Sequence, residues 1–116
     1  MRLTSELWVA GYLRRVAAEG RQAVLVKRGA REAGAIHIRI VCAGDRNRLL
    51  SPAPMSLDPD AGSGRRWSQR ADGPASEIDR ILDGELRFDE DAWIVDVDDR
   101  DGADCLLDEE RAQDAD

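Results

Sequence analysis

AIHIRIVC, residues 35–42, is the clearest strand signal in the chain. Ile36, Ile38 and Ile40 alternate with His37 and Arg39, the period-two pattern of a strand that buries one face. AGDRNR, 43–48, is a turn cluster, so this strand and a short one near Arg48–Ser51 are expected to form a hairpin. Upstream, GAREAG (29–34) is a loop with a glycine at each end, and AVLVKR (23–28) is a second, β-branched strand. Before it, Ser5 is the expected cap of a helix running to about Glu19, with Gly20 as its stop. Trp8, Val9, Tyr12, Leu13, Val16 and Ala17 share one broad face of that helix, and Gly11, Arg14, Arg15 and Ala18 lie opposite.

Downstream, SPAPMSLDPDAGSG (51–64) reads as a long loop and RRWSQRA (65–71) as an edge strand. A second helix is expected to begin between Asp72 and Ser76, with Pro74 near its first turn and Gly84 as a weak point. AWIVDV, 92–97, is a final strand. The order α-β-β-β-(β)-α-β predicts an α+β domain: a small, mainly antiparallel sheet of four to five strands, with both helices on one face.

The 116 residues suit one domain, and 35% of them are charged. No apolar run is long enough for a membrane span, and Glu6, Arg14 and Arg15 interrupt the N-terminal stretch, so no secretory signal is read there. A cytoplasmic protein with reduced Cys42 and Cys105 is expected, with no membrane association. The net charge of −7 resides wholly in residues 98–116, where nine acids face two arginines. The expected division is therefore a domain over 1–97 and an acidic, disordered tail over 98–116. Residues 1–50 carry ten bases against four acids.

Several chemistries lack their residues. One histidine and two distant cysteines make no zinc set, and no phosphate-loop or dinucleotide motif is present. Asp99, Asp101, Gly102 and Asp108 match part of a calcium loop, but Val97 stands where its first acid belongs and Asp104 where an apolar residue belongs. The element order also resembles that of restriction-endonuclease-like nucleases, but the acid-x-lysine that holds their metal and water is missing. No catalytic residue, metal site or cofactor is expected.

LTSELWVAGYLRRVAAEG, AVLVKRGAREAGAIHIRI, LLSPAP and DAWIVDV together resemble a small bacterial family, domain of unknown function 1491, over roughly residues 2–97. The resemblance implies a small cytosolic α+β protein and supplies no activity, cofactor or catalytic residue. The family loop is expected to carry an acid after its first glycine, where this chain has Ala30.

The leading expectation is a non-enzymatic domain that binds another protein through Arg14 and Arg15 on the polar side of the first helix, with Arg31 and Glu32 of the nearby loop. The alternative is a nucleic-acid-associated protein using Arg65, Arg66 and Trp67 beside the same arginine pair, by phosphate contact and stacking. A third option, ranked below both, is a small-substrate enzyme using His37 and Arg39, which period-two geometry otherwise places on a solvated sheet face.

Overall fold

A computed structural model describes residues 3–54 and 64–112, so most of the expected 51–64 loop lies outside the described residues. The elements are α1 (Ser5–Ala18), β1 (Gln22–Lys27), β2 (Ile36–Val41), β3 (Arg46–Pro52), β4 (Trp67–Pro74), α2 (Ala75–Phe88) and β5 (Trp93–Asp98), then one 3-10 turn, Asp108–Glu110. The sheet order is β1-β5-β2-β3-β4. β2 and β5 run parallel, Ile36 opposite Trp93 through Val41 opposite Asp98, and the remaining pairs are antiparallel. This is the expected α+β architecture, with β4 at an edge.

The helices do not share a face. On one side, Trp8, Val9, Tyr12 and Val16 of α1 pack with Ile36, Ile38, Ile40, Leu50, Trp67, Trp93, Val95 and Val97. On the other, Ile78 and Leu82 of α2 pack with Leu49 and Ile94. Leu49–Leu50 and Trp93–Ile94–Val95 are consecutive apolar residues, which a strand sends to alternate sides, so both faces of the sheet need cover.

Local boundaries also differ from expectation. Thr4 caps α1, its side chain accepting from the Leu7 N–H at 3.2 Å, while Ser5 is buried and its Oγ donates to the Gly34 carbonyl at 2.7 Å. Gly20 adopts φ 78° and ends the helix as expected. Asp72–Pro74 complete β4 before α2 starts, and α2 continues through Gly84 to Phe88 because Leu82 and Leu86 pack onto the sheet on either side of it. That contact outweighs the roughly 1 kcal/mol a helical glycine costs.

The expected boundary at residue 97 falls inside the packed body. After β5 the chain turns at Gly102 (φ 84°), and Cys105 and Leu106 enter the α1-side core. Arg111 bridges Trp67 of β4, and the Ala112 N–H donates to the Trp67 carbonyl at 2.9 Å. No helix among the described residues is long and apolar enough to cross a membrane.

Candidate functional site

The acidic segment folds because arginines distant in sequence neutralise it. Glu110 is buried, and its carboxylate accepts from Trp8 Nε1 at 2.8 Å, Arg15 Nη1 at 2.6 Å and the Leu107 N–H at 2.8 Å. Burial works to raise its pKa, but hydrogen bonds from Arg15, Leu107 and Trp8 outweigh it and hold the carboxyl below its ordinary range. The Tyr12 hydroxyl donates to the Asp104 carbonyl, and burial pushes its pKa up. Arg48 donates to the Gly102 carbonyl, Arg111 to Asp104 at 2.6 Å, and Arg21 to Asp99 at 2.7 Å. The Asp99 carboxylate also accepts from the Ala103 N–H, so this acid of the calcium-like set serves the turn itself. Arg15, expected on the outer side of α1, is thus committed to this strap and leaves the predicted interaction surface.

The 29–34 loop joins α1 to the start of β5. The carbonyls of Arg31 and Glu32 accept from the first helical N–H groups, Glu6 and Ser5, at 3.0 Å each. On its other side the Ala30 N–H donates to the Asp91 carbonyl at 2.8 Å, and Trp93 Nε1 donates to the Ala30 carbonyl at 2.7 Å. Ala30, where the family was expected to carry an acid, therefore acts here through its backbone. Arg28 lies 5.3 Å over the Trp93 ring and donates to Glu6 at 2.8 Å, and Arg31 lies 3.6 Å from the other Glu6 oxygen. The Arg31 and Glu32 side chains remain exposed at the rim.

His37 and Arg39 do not form a solvated pair. They lie on the α2 side of the sheet, where His37 is 4% exposed and its Nδ1 is 2.9 Å from Ser51 Oγ. Arg39 donates to Asp96 at 2.8 Å and also to Asp79, and its hydrogen bond to Asp96 leads the causes that raise its pKa. His37 is thus held in the body of the fold beside Ser51, and Arg39 is engaged with two carboxylates. Burial lowers the His37 pKa below its ordinary 6.5. The folded state therefore resists a proton that the unfolded state accepts. Stability is expected to be full above pH 6.5 and to fall as the pH drops through that value toward the folded pKa. Urea midpoints on either side of it, in the native chain and in His37→Gln, check this, since the variant must lose that part of the slope.

Trp67 is 3% exposed, its Nε1 donates to the Ile36 carbonyl at 2.8 Å, and its ring lies 4.3 Å from Trp8. It cannot stack on a base, so the alternative surface loses its aromatic. Arg65 donates to the Leu3 carbonyl at 3.2 Å, which ties it to the chain's N-terminal side. Arg66 is half-buried beside Trp67.

The surface that stands out is the outer face of α1. Leu7 (58% exposed), Ala10, Gly11, Arg14, Ala17 and Ala18 are all exposed, as is Leu3 (54%) just before the cap. Arg14 is the single charge among them. The outer face of α2, by contrast, shows Glu77, Asp79, Arg80, Asp83 and Arg87, a mostly charged surface with one exposed aromatic, Phe88, at its last residue. Of the predicted interaction residues, Arg14, Arg31 and Glu32 are exposed near α1 and Arg15 is not. Leu3, Leu7 and Ala10 were missed. Their 4-3 spacing is legible, but the stronger Trp8–Tyr12–Val16 stripe overshadows it.

The sequence pattern described as "Protein of unknown function (DUF1491)" matches residues 3–107. A solution structure of an A. tumefaciens protein is 38% identical, with 91% of this chain and 93% of that one covered and a TM-score of 0.78. A crystal structure of a DUF1491 family protein from Caulobacter crescentus is 28% identical, covering 97% and 100%, with a TM-score of 0.78. A nuclear magnetic resonance structure of a DUF1491 family protein from the same organism is 30% identical, covering 97% and 99%, with a TM-score of 0.77. No curated protein matches the chain. A match over most of its length, shared with solved relatives of the same fold, places this chain in the DUF1491 family.

Proposed function

We propose that this chain is a non-enzymatic protein-interaction domain that docks its partner on the outer face of α1, with Arg31 and Glu32 at the rim. The observation that carries the reading is the contrast between its two helices. In a chain with 35% charged residues, α2 turns out mainly charges, with Phe88 at its end, while α1 turns out leucine, alanine and glycine around Arg14 alone. Exposed apolar side chains grouped on one face mark interaction surfaces. The rigid support is already in place, since Trp8 and Tyr12 hold the opposite side of the same helix in the core.

Capture of the tagged chain from its own source lysate, with and without nuclease, tests this. The expected result is a partner set that survives nuclease, is lost with Leu7→Glu and is retained with Arg80→Glu on α2. Leu7 is exposed, so its substitution should leave stability within about 0.5 kcal/mol, checked by urea unfolding. Partners lost on nuclease treatment, or captured equally by Leu7→Glu, would overturn the reading.

A further inference from the structure

We infer that the partner on this face is a second copy of the chain, with the two α1 helices packed antiparallel about Ala10 and Gly11. This deepens the proposed function and rests on it. Leu7, Ala10, Arg14 and Ala17 follow the alternating four-and-three spacing of a helix-packing seam, and exposed Leu3 lies just before its cap. The seam is graded, with both leucines at its N-terminal end, alanine and glycine in the middle, and Ala17 and Ala18 at its C-terminal end. A two-fold axis between Ala10 and Gly11 brings residue 3 of one copy opposite residue 18 of the other, and residue 7 opposite residue 14. Each leucine at the end then meets alanine, and Leu7 meets the aliphatic stem of Arg14. A parallel arrangement would instead set leucine on leucine and Arg14 on Arg14.

The middle of the seam can come close. Gly11 is in mid-helix with nothing within 4 Å of where a Cβ would stand, so a second backbone meets no side chain there. The charges also match. Glu32 sits at the level of Ser5, whose N–H donates to its carbonyl, and among the described residues the side chains of Glu32 and Arg14 have no ion-pair partner. In the antiparallel pair Arg14 of each copy projects toward the first turn of the other, where Glu32 stands. The two-fold makes this pairing twice.

Sedimentation equilibrium of the full chain over a range of concentrations is the test, with a set of variants. The expected result is a dimer whose dissociation constant rises about tenfold or more with Leu7→Glu. Arg14→Glu and Glu32→Arg are each expected to weaken it, and their combination to restore it, because the swap rebuilds both pairs. Gly11→Cys, at the axis, is expected to give a covalent dimer on oxidation, and Gly84→Cys, exposed on α2, to give none. A dimer indifferent to Leu7→Glu, or no cross-link through position 11, overturns the inference. A monomer at all concentrations also overturns it. If nuclease-resistant capture still depends on Leu7, only the second copy fails. If capture is indifferent to Leu7 as well, the proposed surface fails with it.

Discussion

A chain ended at residue 97 is expected to lose cooperative folding. The cut removes Leu106 from the core, worth about 2 kcal/mol of apolar burial. It also removes Glu110, the acceptor for Trp8 Nε1 and Arg15, and breaking such a buried pair costs roughly 3 kcal/mol. The Tyr12 hydroxyl loses the Asp104 carbonyl, and Trp8 and Trp67 lose their cover. These losses are comparable with the whole stability of a domain this size, roughly 5–15 kcal/mol. Urea unfolding followed by tryptophan fluorescence should show a broad, early transition or none. An unchanged midpoint for residues 1–97 would mean the strap contributes nothing. Glu110→Ala localises the effect: it leaves the Trp8 and Leu107 N–H groups without their acceptor and Arg15 with the Cys105 carbonyl alone, and should cost about 2 kcal/mol, more than Glu110→Gln.

Gly29→Ala is expected to be the most damaging single methyl addition. A Cβ there would run into the Asp91 carbonyl oxygen and stand 2.6 Å from Trp93 Cδ1 and 2.7 Å from the Ala92 carbonyl carbon. Most of these are backbone atoms, held by the Ala30–Asp91 and Trp93–Ala35 hydrogen bonds, so relief requires the loop and the start of β5 to separate. Overpacking of this kind costs about 3 kcal/mol. Gly34 closes on the same Asp91 carbonyl from the other end of the loop, so Gly34→Ala should act similarly and the double variant should lose less than the sum. Gly84→Ala is the control: nothing lies within 4 Å, and the substitution should stabilise α2 by up to about 1 kcal/mol. Equal midpoints for Gly29→Ala and Gly84→Ala would refute the close approach.

The element order was legible because each element carries its own periodicity. What escaped was the second face of the sheet. β2 alone, with isoleucines against His37 and Arg39, reads as a strand with one wet side. The Leu49–Leu50 and Trp93–Ile94–Val95 pairs of faces carry the contrary signal, and with them His37 becomes a buried residue. The strap escaped for a different reason. Its charge is a local property, but its neutralisation by Arg15, Arg21 and Arg48 depends on contacts spanning most of the chain. The sequence pointed to α1 through Arg14, whereas the other exposed side chains of that helix are apolar ones, which in a sequence look like more core.

The sheet order also sets a schedule. β1 has a single neighbour, β5, with Gln22 opposite Asp98 and Lys27 opposite Ile94. β2, β3 and β4 can form their meander from adjacent segments, and α2 can settle on it at once. β1, an edge strand with Val24 and Val26 outward, must wait until β5 slots between it and β2. Pairings this far apart in sequence carry a large loop-closure cost and slow folding. The first strand in the sequence is held in the sheet only through the last.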